Sequence, residues 1–147
     1  MATPTIPLTQ VSVLSELILR GGNATDPRSR QSLRDQYVRG FPALYPDVTS
    51  GLSCLFRPGA TLDELAREGA YRNGKLSFAL VGPLTRELAS SGYGAVLYVT
   101  PTHRYPDHHT LTLVRNGQIE RTLRDDALDA LLRAVHVVDN PYQGRSP

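Results

Sequence analysis

The sequence predicts an α+β domain: a compact sheet, antiparallel or mixed, flanked by short helices. Three observations carry that reading. Asn116-Gly117 separates two alternating runs, Thr110–Arg115 and Gln118–Leu123, and Asn-Gly in that setting is the strongest short-range hairpin signal. Leu128, Leu131, Leu132 and Val135 recur at i, i+3, i+4 and i+7, the apolar stripe of a core-facing helix. Short apolar runs and helix-starting residues follow one another through the rest of the chain, with no internal repeat. At 147 residues the chain fits one domain, 1–147, with a loose arm at 1–7 and a polar tail at 140–147.

From the N-terminus, the segment Val11–Arg20 fits either of two elements. Val11, Leu14 and Ile18 share a helical face that Gly21-Gly22 would cap, while Leu17-Ile18-Leu19 fits a buried strand. Asp26-Pro27 starts a mostly polar helix running to Val38, with Leu33, Tyr37 and Val38 as its apolar positions. Gly51–Phe56 reads as a short strand. Thr61 and Glu64 have capping-box spacing, which predicts a helix over Leu62–Gly69. Tyr71–Gly74 is a turn and Leu76–Val81 a strand. Pro83 opens a helix to Ser90, and the apolar run Ala95–Thr100 predicts a central strand. After the hairpin, Asp125-Asp126 starts the last helix, where acidic side chains favour the positive end of the helix dipole.

Composition narrows the functional classes. Hydrophobic residues make up 40% and charged residues 20%, ordinary for a soluble globular protein. Cys54 is the sole cysteine, which excludes an intramolecular disulfide and a thiolate metal cluster. No apolar run approaches the roughly 20 residues of a membrane helix. Met1–Pro7 lacks the basic flank and apolar stretch of a secretory leader, so a reducing cytoplasm is expected. A net charge of +2 gives no strong nucleic-acid signal. Lys75 is the sole lysine, the remaining Lys+Arg residues being arginines, which grip phosphate in a two-pronged fashion. No P-loop, dinucleotide fingerprint or Gly-x-Ser-x-Gly elbow is present.

The densest chemistry lies in Thr102–Thr110, a Pro-containing turn with His103, His108 and His109 that feeds a strand. These histidines lack the helical His-x-x-x-His pattern of a metal pair, and His108 and His109 would face opposite sides of a strand, so no metal is expected. Arg20 ends an apolar segment, where an unpaired guanidinium must reach solvent or an anion. Ser50-Gly51-Leu52-Ser53 combines hydroxyls with a glycine that permits close backbone approach.

In this order the features resemble ADP-ribosyltransferase-like toxins delivered by bacterial secretion systems, in particular a small type VI effector group. The matching segments are Leu17-Ile18-Leu19-Arg20, Gly51-Leu52-Ser53, Asp107-His108-His109-Thr110-Leu111 and the closing helix Asp126–Val135. The resemblance implies an ADP-ribosyltransferase-like fold and NAD⁺ as substrate. Arg20, beside Gly21, would clamp a phosphate of the dinucleotide. Ser50 and Ser53 would shape the nicotinamide-ribose pocket, His108 would be a further cofactor-binding residue, and Tyr37, Tyr45 or Phe56 could stack on nicotinamide. A carboxylate would steady the oxocarbenium-like sugar, and Glu120 in Gln118-Ile119-Glu120 is the best candidate. His109 could take over the ribose contact of that carboxylate, without its charge. The expected reaction is ADP-ribosylation of a cytoplasmic macromolecule or hydrolysis of NAD⁺, with a cognate immunity protein as partner and no membrane association. Two alternatives stay open. One is a small ribonuclease using His103 or His109 with Arg104 or Arg115. The other is a non-enzymatic binding or immunity-type protein.

Overall fold

A computed structural model describes residues 16–40, 50–57, 59–69, 71–102 and 107–142, with backbone alone for 16–21. The strands are β1 (Glu16–Gly21), β2 (Leu52–Phe56), β3 (Lys75–Leu80), β4 (Ala95–Pro101), β5 (His108–Arg115), β6 (Gln118–Ile119) and β7 (His136–Asp139). The helices are α1 (Arg30–Arg39), α2 (Leu62–Gly69), α3 (Val81–Ser90) and α4 (Asp125–Arg133). Among the described residues they form a seven-stranded sheet in the order β4-β5-β2-β1-β3-β7, with β6 paired to β5. Each of its strand pairings is antiparallel.

Local chemistry explains most boundaries. Asp26 accepts a hydrogen bond from the Arg28 amide and Pro27 starts a 3-10 turn that leads into α1. Thr61 and Glu64 exchange the reciprocal bonds of a capping box at α2. Asn116 and Gly117 both take positive φ, 54° and 75°, as a two-residue hairpin turn requires.

Two layers cover the sheet. On one face α1, α3 and α4 bring Leu33, Tyr37, Leu84, Leu88, Leu128 and Leu131 against Leu52, Cys54, Phe56, Leu97, Leu111 and Leu113. On the other, α2 brings Leu65 and Ala66 onto Leu55 and Leu76. Gly51 sits where backbones nearly touch: a Cβ there would fall 2.1 Å from Thr110 Cγ2 and 2.9 Å from the Leu111 carbonyl.

Several expectations change. The segment that fitted helix or strand is a strand from residue 16; 11–15 lie outside the described residues, as does the arm at 1–7. β4 lies at the sheet edge instead of its centre: Ala95, Leu97 and Val99 face the core, while Val96 stays half exposed. The second hairpin arm keeps only two ladder residues, because the chain from Glu120 turns away towards α4. α3 begins directly off β3 at Val81, before Pro83. Val135 is buried but lies past the end of α4. β7 was not anticipated, and it ties down the start of the supposed tail. Buried Asn140 donates to the Tyr71 and Asn73 carbonyls, and the Tyr142 hydroxyl donates to Asp63. Among the described residues no helix is long and apolar enough to cross a membrane.

Candidate functional site

The sheet divides at its middle. β1 and β2 share two rungs, Leu17↔Phe56 and Ile18↔Leu55. Beyond these β1 follows β3 as far as Gly21↔Leu76, and β2 follows β5 as far as Leu52↔Leu111. A bulge between Ile18 and Arg20, where β1 advances two residues against one on β3, turns β1 away from β2. Arg20 and Ser53 therefore stand two residues past the last shared rung (20 − 18 and 55 − 53), on opposite sides of a fork. The Ser53 amide that would have continued the ladder donates instead to Gln36 Oε1 of α1, at 3.1 Å.

Ser53 leads to a chain of side-chain hydrogen bonds. Its Oγ lies 2.6 Å from His108 Nε2, and His108 Nδ1 lies 2.6 Å from Thr102 Oγ1. His108 is 2% exposed, so both ring nitrogens are met inside the protein, while Ser53 is only partly buried. Paired residues of neighbouring strands point to the same side, so Ser53, Thr110 and Thr100 form one row across β2, β5 and β4. Among the described residues the buried Thr100 and Thr110 hydroxyls have no hydrogen-bond partner. Thr112, one pleat further along β5, donates to the Ser50 carbonyl. The face that α2 covers with apolar contacts thus becomes a field of hydroxyls around one imidazole. These hydroxyls and the imidazole are buried, so Ser53, which is partly exposed, is the member of the network that a hydroxylated ligand such as a ribose can reach.

His109 points to the other side of β5. Its ring meets Phe56 edge-on at 5.3 Å, and Nδ1 donates to the Asp107 carbonyl at 3.0 Å. Burial holds its pKa below the usual histidine value, so it is neutral at pH 7. Asp107, which starts the turn into β5, is fixed twice. Its carbonyl accepts from the Phe56 amide, and its carboxylate meets Arg57 at 2.8 Å. Arg57 also binds Glu68 and Glu64 of α2, and so ties β2, α2 and the start of β5 together.

Glu120 belongs to a different cluster. One carboxylate oxygen accepts from Arg115 Nε at 2.8 Å and the other from the Tyr93 hydroxyl at 2.9 Å. Arg115 and Arg124 both lie over the Tyr93 ring. The Glu120 amide bonds to the Leu113 carbonyl, at the far end of β5 from His108. At about 3.4 Å per residue that is roughly 17 Å away. Tyr37 is also fixed: fully buried, it donates to the Glu120 carbonyl and accepts from the Leu113 amide. Burial pushes its phenol well above the ordinary range. Its ring has no face open to a nicotinamide. Phe56 is equally buried, and Ser50 is 4% exposed.

The structure therefore joins Ser53 to His108, with Gln36 of α1 bonded to the Ser53 backbone amide and the Arg20–Gly21 backbone across the fork. It separates them from Glu120 and Tyr37, and it puts His109 on the opposite side of its strand from His108. His103, Arg104, Tyr105 and Tyr45 lie outside the described residues. Cys54 is buried, and burial pushes its thiol up, so it offers no thiolate. Sequence reasoning did not find Gln36 or the threonine row. The signal for the row was present as Thr100-x-Thr102 and His108-x-Thr110-x-Thr112, a period of two within strands. Comparison of the chain with protein-family models, curated proteins and solved structures finds no match.

Proposed function

We propose that this chain is an ADP-ribosyltransferase-like domain that cleaves NAD⁺ at the fork between β1 and β2, passing ADP-ribose to a cytoplasmic target or to water. The carrying observation is that three of the four segments of the family resemblance lie on three neighbouring strands: Arg20 on β1, Ser53 on β2 and His108 on β5, with Ser53 Oγ and His108 Nε2 2.6 Å apart.

In this reading the partly exposed Ser53 holds a hydroxyl of the nicotinamide ribose, His108 and Thr102 behind it fix and polarise the Ser53 hydroxyl, and Arg20 binds the diphosphate. The C1′–N bond breaks and its electron pair leaves with neutral nicotinamide. An oxygen or nitrogen of the acceptor bonds to C1′ and releases one proton. With Glu120 engaged far from the pair, the work of this site is positioning and hydrogen bonding.

The Ser–His pair also invites comparison with serine acyl transfer. In that chemistry the imidazole becomes a cation, which a carboxylate on its second nitrogen stabilises. Here Thr102 presents a hydroxyl to that nitrogen, and the Asp107 carboxylate turns to Arg57. A ribonuclease centred on His109 is less well supported, because Arg115 is paired with Glu120 at the other end of β5.

Nicotinamide release from NAD⁺, measured in bacterial lysate with purified protein, tests the proposal. Wild type should release nicotinamide, and Arg20→Ala, Ser53→Ala and His108→Gln should each lower the rate about 100-fold or more. A wild-type protein that releases none would overturn it.

A further inference from the structure

We infer that Gln36 of α1 reads the carboxamide of nicotinamide and is a specificity-determining residue of the site. The inference rests on the NAD⁺ reading above. The Ser53 amide donates to Gln36 Oε1, which fixes which half of the side-chain amide is oxygen and leaves the NH2 group as the other half. Among the described residues that NH2 group has no hydrogen-bond partner. Gln36 is partly exposed, and α1 is tied to the entry of β2 next to it by the Gly51 amide, which donates to the Tyr37 carbonyl. Two oriented donors therefore stand next to the residue that holds the nicotinamide ribose. The base attached to that ribose carries one hydrogen-bonding substituent, its carboxamide, whose oxygen accepts what Gln36 donates. None of the motif segments contains Gln36; it enters the site because β1 leaves β2 at the bulge and exposes the Ser53 amide.

The isosteric change Gln36→Glu separates the two roles of the side chain. It keeps an acceptor for the Ser53 amide and replaces the donors with a negative oxygen. The probes are NAD⁺ and its nicotinic acid analogue, in which a carboxylate replaces the carboxamide, titrated calorimetrically into the full chain. Comparing two ligands within each variant cancels any general effect on folding. Wild type should bind both. In Gln36→Glu the ratio of the analogue's Kd to that of NAD⁺ should rise at least tenfold, because two carboxylates would face each other. An unchanged ratio in a variant that still binds NAD⁺ would overturn the role of Gln36 and leave the NAD⁺ reading standing. A wild-type chain that binds neither dinucleotide would overturn both.

Discussion

Single side chains divide the polar residues of this chain into the group assigned to the proposed site and a structural group. Ser53 and His108 meet across 55 positions of sequence, and a second hydroxyl, that of Thr102, backs the imidazole. Glu120, by contrast, has both oxygens occupied by Arg115 and Tyr93 and is largely buried. Glu120→Gln should therefore act on stability, costing about 1–2 kcal/mol in urea unfolding, in the range for a hydrogen bond to a charged group. His109 supplies a pH effect of definite sign. Its folded pKa is depressed by burial, so between pH 7 and 5 the unfolded chain takes up its proton first. The stability it contributes is complete above the unfolded value near 6.5 and is lost as pH falls through the folded value. The carboxylates with lowered pKa, Glu68, Asp26 and Asp139, lose their contribution below about pH 4.5, outside that window. Melting curves should show Tm falling from pH 7 to 5, with a shallower fall in His109→Gln. Equal slopes would refute the assignment.

At the scale of elements, the legible parts were those with local chemistry. The Asp26-Pro27 start, the Thr61/Glu64 box and the Asn116-Gly117 turn each place their element, because each is settled within four residues. The position of β4 was not legible. Its apolar run fits a strand buried on both sides, and only pairing across the whole sheet puts it at an edge with Val96 half exposed. β7 was missed because His136-Val-Val-Asp is four residues long and polar at both ends. In the candidate site, the motif positions were legible in order but not their geometry. Nothing local to Ser53 says that its amide will find Gln36, because that bond depends on the bulge in β1. The close approach of Gly51 to β5 gives a direct test. Gly51→Ala places a methyl group against Thr110, Thr112 and the Leu111 carbonyl at a φ of 153°. It should cost about 3 kcal/mol or more by prying β2 from β5. A Tm within a few degrees of wild type would show that the contact relaxes cheaply.

At the scale of the molecule, a sheet forked at its middle carries two chemically different regions. One face is an apolar layer beneath α1, α3 and α4, and truncating its centre with Leu84→Ala should cost about 2–5 kcal/mol in urea unfolding. The other face passes from the apolar contacts of α2 to the hydroxyl field around His108. Arg57 joins the two regions, gathering α2 and the start of β5 onto the end of β2. The proposed chemistry is confined to the fork and the hydroxyl field, and the Glu120 cluster at the opposite end of β5 holds the hairpin in place. The most direct test is therefore nicotinamide release from NAD⁺ by Ser53→Ala and Glu120→Gln, measured side by side on folded protein. The account predicts that Ser53→Ala loses about 100-fold or more of the wild-type rate and that Glu120→Gln stays within about threefold of it. The reverse pattern, with Glu120 essential and Ser53 dispensable, would contradict the account.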